Sequence, residues 1–284
     1  MRKLSTYAKP ALFVVTLASM AWGFHAMLLH HAPDVFRTPQ EDMSFAWFVP
    51  LFSLYVLWTE RAKIRVSAGE PGLAGFFAAL PFLAIGFLGV RGIQLRLEIV
   101  AFIGLLICVP WAFFGFRTAK AVAFPACFLL FCIPLATFLD VVTVHMRLLA
   151  SGTAYQVLRG FGADVVQRGT MLYSNGGSFA IDIADPCSGL RSLFALMALT
   201  AAYAYFTQKT WFKRALLFAA SVPIAIFGNV MRILTICLVA NYASRDFALG
   251  FYHDYSGYVV FAVAISLMVA TGELISKTGG NGGE

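Results

Sequence analysis

The sequence predicts an all-α polytopic membrane protein, with about eight transmembrane helices and a small extracytoplasmic loop subdomain before the sixth. Two observations lead to this fold class. Apolar residues make up 60% of the 284 residues and charged residues only 12%, and the mean hydropathy of +0.79 lies far outside the range of soluble domains. The apolar runs are also long enough to cross a bilayer as helices and lack the alternation of a transmembrane β-barrel.

The predicted spans are 10–29, 44–59, 72–90, 97–116, 121–140, 188–206, 215–240 and 256–275. Orientation follows from the 21 Lys and Arg residues. With a cytoplasmic N-terminus, 12 lie on the cytoplasmic side, 7 lie on the opposite side, and Arg191 and Arg232 fall inside predicted helices. We therefore expect a multi-pass protein of the cytoplasmic membrane. The first span is too long for a usual signal peptide, so we expect it to be retained.

The spans and loops divide the chain into four parts. The loop before the sixth span contains an amphipathic stretch, typical of an interfacial helix, and then a predicted β-hairpin that turns at Asn175-Gly176-Gly177. The Gly-rich end of the chain predicts disorder. The parts are 1–140 (helices one to five), 141–186 (extracytoplasmic loop), 187–275 (helices six to eight) and 276–284 (cytoplasmic tail).

The cysteine positions and the net charge argue against several classes of function. Cys108, Cys127, Cys132 and Cys237 lie inside apolar runs, where cysteine is usually a small buried hydrophobe. Their spacing indicates neither a structural metal nor a disulfide framework, and the sequence predicts no cofactor. The net charge of +7 agrees with basic cytoplasmic loops, and without an aromatic-interleaved basic patch it does not indicate nucleic-acid binding.

The remaining cysteine, Cys187, stands in "PCSGLRS" at the start of the sixth span. Pro186 is suited to the first position of a helix, so Cys187 falls in the first turn. Free N–H groups and the helix dipole there are expected to lower the pKa of its thiol. Arg191 follows at i+4 on the same face, and Ser188 keeps the surroundings small. The alternative interpretation is a capping turn with an incidental cysteine.

Two further motifs place polar side chains in or next to predicted membrane helices. "GNVMRILTI" carries Asn229 and Arg232 one turn apart in an apolar helix, where an arginine costs about 2.5–3.5 kcal/mol to insert and normally faces the protein interior. "HDYSG" places His253 just before the eighth span, with Gly257 four residues later. The other histidines that could take the same role are His25, His30, His31 and His145.

The predicted topology brings these motifs to the outer face. A thiol, an imidazole and a guanidinium supply a nucleophile, an acid–base group and a charge stabiliser, which are the parts that acyl transfer requires. The sequence shows no obvious carboxylate to orient the imidazole, although Asp182, Asp185 and Asp254 are close in sequence.

In this order, "PCSGLRS", "NVMRI" and "HDYSG" resemble the motifs of the exosortase/archaeosortase family of membrane cysteine transpeptidases. The resemblance covers mainly residues 150–275. It implies that Cys187 is the nucleophile, Arg232 the stabilising or substrate-orienting cation and His253 the proton-transfer residue. Arg191 matches the arginine of the first motif, while Asn229 and Ser188 are supporting candidates.

The resemblance also implies a substrate. Family members act on secreted proteins with a tripartite C-terminal tail of the PEP-CTERM type, which has a Pro-containing signature, a hydrophobic helix and a basic cluster. The cleaved protein is passed to an acceptor, either a polysaccharide or a lipid. Three alternatives stay open from the sequence: a peptidase with water as acceptor, a lipid-modifying acyltransferase, and a transporter in which Arg232 binds an anionic solute.

Overall fold

The protein divides into two compact units, Met1–Thr137 and Phe138–Glu284. The structure is a computed structural model, which describes residues 2–37, 43–66, 69–134, 140–175, 180–182, 190–242 and 247–278. Within each unit, helices dominate the described residues, as expected for an all-α membrane protein.

The described residues of the N-terminal unit are helical, with short connections. Its helices are α1 (Arg2–Gly23), α2 (Ala32–Arg37), α3 (Phe48–Thr59), α4 (Arg61–Val66), α5 (Leu73–Gly92), α6 (Leu95–Phe114) and α7 (Phe116–Phe128). A π-helical turn, Met27–His31, precedes α2, and 3₁₀ turns cover Ser44–Trp47 and Leu129–Cys132.

Helices α5 and α6 pack closely against each other. They are joined by Ile93, whose φ of 51° is left-handed, and Gln94. Bare glycines let the two backbones approach, as in many membrane helix pairs. A Cβ at Gly75 would collide with the backbone of Ala112, and a Cβ at Gly104 would collide with the ring of Phe82.

Helix α7 is shorter than the predicted fifth span, 121–140. The helical segment ends at Cys132, and Ile133 is extended, with ψ of 123°. The cause is Pro134, because the residue before a proline is driven out of the helical region. The predicted boundary at residue 140 is therefore wrong for this helix.

In its described residues, the C-terminal unit combines four helices with a small sheet. Its elements are α8 (Asp140–Gly160), β1 (Val165–Arg168), β2 (Met171–Ser174), β3 (Ala180–Asp182), α9 (Leu190–Thr207), α10 (Trp211–Tyr242), a π-helical turn (Ala248–Tyr252) and α11 (His253–Lys277). Helix α11 continues to Lys277, two residues into the segment predicted as a disordered tail. Residues 279–284 lie outside the described part.

The three strands are antiparallel, in the order β1-β2-β3. β1 and β2 are joined at Gly169, whose φ of 62° suits glycine, a turn that the sequence analysis missed. β2 pairs with β3 through Met171–Asp182, Leu172–Ile181 and Tyr173–Ala180. The predicted turn falls between these two strands, but Gly176 and Gly177 lie outside the described residues.

Helix α8, predicted as an interfacial helix, packs between the sheet and α10. Its buried residues Ala150, Ala154 and Leu158 share one apolar cluster with Leu172 of β2 and Ile233 of α10. The Ser151 hydroxyl accepts a hydrogen bond of 3.0 Å from the Gln167 amide and so ties α8 to β1. The loop subdomain therefore supports the half of α10 that carries Arg232.

Helices α9, α10 and α11 form a bundle whose one end is fixed by polar contacts. The Gln208 amide donates to the carbonyl of Gly272 at 3.0 Å, and Lys213 Nζ donates to the carbonyl of Ser276 at 2.9 Å. Arg214 donates to the carbonyls of Gln208 and Tyr205. These cations satisfy carbonyls that the helix ends leave free. The opposite end of the bundle contains the start of α9, the end of α10 and the start of α11.

Four described helices are long and apolar enough to cross a membrane: Leu73–Gly92, Leu95–Phe114, Trp211–Ala240 and Gly250–Lys277. A pair bent by 57°, Lys9–Gly23 and Met27–Arg37, would make a fifth if it is one span. These helices agree with a multi-pass membrane protein. Helices α3, α7 and α9 occupy the three other predicted spans, and the number eight remains a prediction.

Candidate active site

The predicted site residues are described to different extents. Cys187 and Ser188 lie outside the described residues, so the nucleophile and its neighbour remain predictions from sequence. Arg232 and Asn229 are described in full, and so is Arg191, whose side chain is exposed in the first turn of α9. For His253 the structure describes the backbone alone, as the first residue of α11.

A small cavity lies between α9, α10 and α11 near the end that carries the motifs. Its volume is about 30 Å³, enough for a water molecule or the tip of a side chain. Ser192, Asn229 and Arg232 supply its polar lining. Its remaining lining residues are Leu196, Ala225, Gly228, Gly257, Val260, Phe261 and Ala264.

Each of the three motifs contributes to this cavity. Ser192 is the last residue of "PCSGLRS", Asn229 and Arg232 belong to "NVMRI", and Gly257 ends "HDYSG". These segments are far apart in the chain and on three different helices. Their convergence follows from the antiparallel packing of the bundle, which brings the start of α9, the C-terminal half of α10 and the start of α11 to one end.

Arg232 is half-buried, and its guanidinium lies against Gly257 of α11. A Cβ built at Gly257 would be 3.4 Å from Nη2, 3.5 Å from Cζ and 3.9 Å from Nε of Arg232. Asn229, one turn earlier on α10, is buried with 6% of its surface exposed. The arginine is thus held within the bundle, as expected for a charge on an apolar helix.

The close approach of α10 and α11 depends on a second glycine. A Cβ at Gly228 would be 3.1 Å from Cγ1 of Val260, tighter than most contacts of a real side chain. Ala225 and Ala264 are small residues on the same two helix faces. The roles of Gly228, Ala225, Ala264 and Ser192 were not predicted from the sequence. Small residues at helical spacing before Arg232 were present there and could have indicated close helix packing.

His253 follows a break in the helical backbone. Gly250 has φ of −91° and ψ of −105°, inside the π-helical turn Ala248–Tyr252. Such turns are frequent at functional sites. Because α11 begins at residue 253, positions 253 and 257 are four apart on one helix and share a face. The backbone of His253 is therefore one turn from the glycine that contacts Arg232.

One of the other candidate histidines has an acidic partner that the sequence analysis missed. In the N-terminal unit, His31 Nδ1 lies 3.2 Å and 3.3 Å from the two carboxylate oxygens of Glu98, which is fully buried. The two residues are 67 positions apart, so no local pattern links them. The suggested orienters for His253 are not settled, because the side chains of Asp182 and Asp254 and all of Asp185 lie outside the described residues.

Comparison with known proteins identifies the family of this chain. A family model described as transmembrane exosortase matches residues 37–270, which include all three motifs. The chain belongs to the transmembrane exosortase family. No curated protein and no solved structure matches it. The family indicated by the motifs is thereby confirmed, and the match extends beyond the 150–275 region that carried the resemblance.

Within this exosortase, the matched region covers both units. It begins at the last residue of α2 and ends within α11, so it contains the α5–α6 pair as well as the motif-bearing bundle. In the described part of the chain, no group of three or more His, Cys, Asp or Glu side chains could hold a metal ion.

Proposed function

We propose that this exosortase is a membrane cysteine protease and transpeptidase. It cleaves the C-terminal sorting tail of secreted proteins through a thioester acyl-enzyme and transfers them to a cell-surface acceptor. The observation that supports this most is the cavity at which residues of all three motifs meet. A shared cavity is expected if the motifs serve one reaction.

Three side chains carry the proposed chemistry. The Cys187 thiolate attacks the scissile carbonyl, His253 donates a proton to the leaving amine, and Arg232 stabilises the negative charge on the carbonyl oxygen. The acceptor then attacks the thioester, His253 takes its proton, and Cys187 leaves as thiolate. Arg191 and Ser188 support the nucleophile, and Asn229 supports Arg232.

The proposed substrate matches a site at the outer end of membrane helices. The hydrophobic part of the tail spans the bilayer as an additional helix, and its basic end stays in the cytoplasm. The scissile bond is then held at the extracytoplasmic face of the cytoplasmic membrane, beside Cys187. Binding of the tail helix positions the bond for attack.

The test is co-expression with a tripartite-tail protein from the same host, followed by the intact mass of its mature C-terminus. With the wild-type enzyme we expect a shortened protein that carries additional acceptor mass. Cys187→Ala is expected to leave the tail intact while the enzyme still inserts into the membrane. Cys127→Ala is the matched control, because it removes an exposed thiol from α7 and is expected to process normally.

Other results would indicate other functions. Shortening without added mass, dependent on Cys187, would indicate a peptidase with water as acceptor. Normal processing by Cys187→Ala would overturn the nucleophile assignment. Solute uptake that persists in Cys187→Ala but is lost in Arg232→Gln would favour a transporter.

A further inference from the structure

Gly257 provides a flat surface for the guanidinium of Arg232. The position of its missing Cβ is nearly as close to Cζ, at 3.5 Å, as to Nη2, at 3.4 Å, and Nε is at 3.9 Å. If the guanidinium pointed end-on at the glycine, Cζ would be more than 1 Å farther away than Nη2. The plane therefore lies broadside across the backbone of α11.

We propose that Gly257 is a positioning residue: the absence of its side chain keeps the Arg232 guanidinium against α11, within the cavity. This inference rests on the proposed function, in which Arg232 stabilises charge beside Cys187. A side chain larger than a methyl group at position 257 would occupy the space of the guanidinium and move the positive charge away from the reacting atoms.

The role of Gly257 differs from that of the neighbouring glycine. A Cβ built at Gly228 would lie 3.1 Å from an aliphatic side chain, Val260, so the missing side chain there allows α10 and α11 to approach closely. Around Gly257, the nearest atoms to a built Cβ all belong to the charged group of Arg232. Alanine at 257 would make ordinary contacts at 3.4 Å, whereas a branched side chain would not fit beside the guanidinium.

The test uses the reactivity of the thiol, which needs no identified substrate. In full-length enzyme with Cys108, Cys127, Cys132 and Cys237 replaced by alanine, iodoacetamide alkylates Cys187 at a rate that follows its thiolate fraction. A cation close to a thiol favours the thiolate, so Arg232→Gln is expected to raise the pH midpoint of alkylation by about 1 unit. Gly257→Val is expected to raise it similarly, and Gly257→Ala to leave it near the starting value.

The decisive comparison is the double variant. If Gly257→Val acts by displacing the guanidinium, it has no further effect on the midpoint once Arg232→Gln has removed that group. If it acts through helix packing instead, the two shifts add. Additive shifts, or an unchanged midpoint in a folded Gly257→Val enzyme, would overturn the positioning role.

A matched control separates packing from positioning. Gly272→Ala lies on the same helix, and its Cβ would be 2.7 Å from Cε1 of Tyr203, at the other end of α11. We expect it to lower thermal stability in detergent without moving the alkylation midpoint. If Gly257→Val does not accumulate in the membrane, Gly257→Ser gives the same comparison with a smaller expected shift, because it adds one atom beyond a methyl group.

The role of Arg232 in the proposed function and the positioning role of Gly257 can be disproved separately. If Arg232→Gln leaves both the midpoint and tail processing unchanged, the role proposed for Arg232 is wrong, and the role of Gly257 with it. If Arg232→Gln changes them but the Gly257 variants do not, the proposed function stands and the positioning role is wrong.

Discussion

Arg232 is a half-buried arginine on an apolar helix, and its guanidinium lies against Gly257 of α11. An arginine within an apolar helix is visible in the sequence, because its insertion costs about 2.5–3.5 kcal/mol and needs a reason. Its contact with Gly257 is not visible there, since it depends on the rotation of α11 relative to α10. The motif residues could thus be named from sequence, but the glycine surface beneath the guanidinium could not.

The His31–Glu98 pair gives a prediction at the same scale. Because Glu98 is fully buried, His31→Ala leaves its carboxyl group without the imidazole and is expected to lower the free energy of unfolding by about 1–3 kcal/mol, the usual cost of a buried polar group that loses its partner. Unfolding in mixed detergent micelles measures this. Adding Glu98→Leu to His31→Ala should recover part of the loss, because it removes the buried polar group that has lost its partner. Equal stability of His31→Ala and wild type would show that the pair is not stabilising.

At the scale of elements, sequence signals located the helices better than their ends. Pro134 explains why the helical segment after α7 stops at Cys132, and that proline was available as a stop signal in the sequence. The sheet shows a different limit: Gly169 was visible in the sequence, but the only turn predicted for this segment was the one at Asn175-Gly176-Gly177, and the turn between β1 and β2 was not predicted.

The packing of α5 on α6 predicts that Gly75 tolerates no side chain. Gly75→Ala is expected to destabilise the N-terminal unit by about 1–3 kcal/mol, because its Cβ would collide with the backbone of Ala112, which cannot rotate away. Gly23→Ala is the matched control, since a Cβ there meets no atom within 4 Å, and its effect should stay within about 0.5 kcal/mol. Equal effects of the two substitutions on the unfolding midpoint would contradict glycine-mediated packing of α5 on α6.

At the scale of the whole molecule, the positive-inside count and the bundle lead to one orientation. Lys213 and Arg214 lie at the end of the α9–α11 bundle where side chains donate hydrogen bonds to helix carbonyls. Arg232 and His253 lie toward the other end. The excess of basic residues predicts that the Lys213 end faces the cytoplasm, and this sidedness stays a prediction. The volume and lining of the cavity could not be predicted, because they depend on the packing of three helices.

Orientation can be tested with single cysteines in a variant that lacks the five native ones. We expect Gly160→Cys, at the end of α8, to react with a membrane-impermeant maleimide added to intact cells. Lys209→Cys, at an exposed position between α9 and α10, is expected to react only after the membrane is permeabilised. The reverse pattern would place the candidate site on the cytoplasmic side and exclude the proposed mode of substrate delivery.

The proposed thioester on Cys187, which links cleavage of the tail to transfer, can be intercepted with neutral hydroxylamine. Hydroxylamine attacks thioesters, so membranes containing the wild-type enzyme and a tripartite-tail substrate should release a shortened protein with a C-terminal hydroxamate. Membranes with Cys187→Ala should release none. A shortened product that ends in a free carboxylate despite excess hydroxylamine, or one that forms equally with Cys187→Ala, would contradict the thioester mechanism.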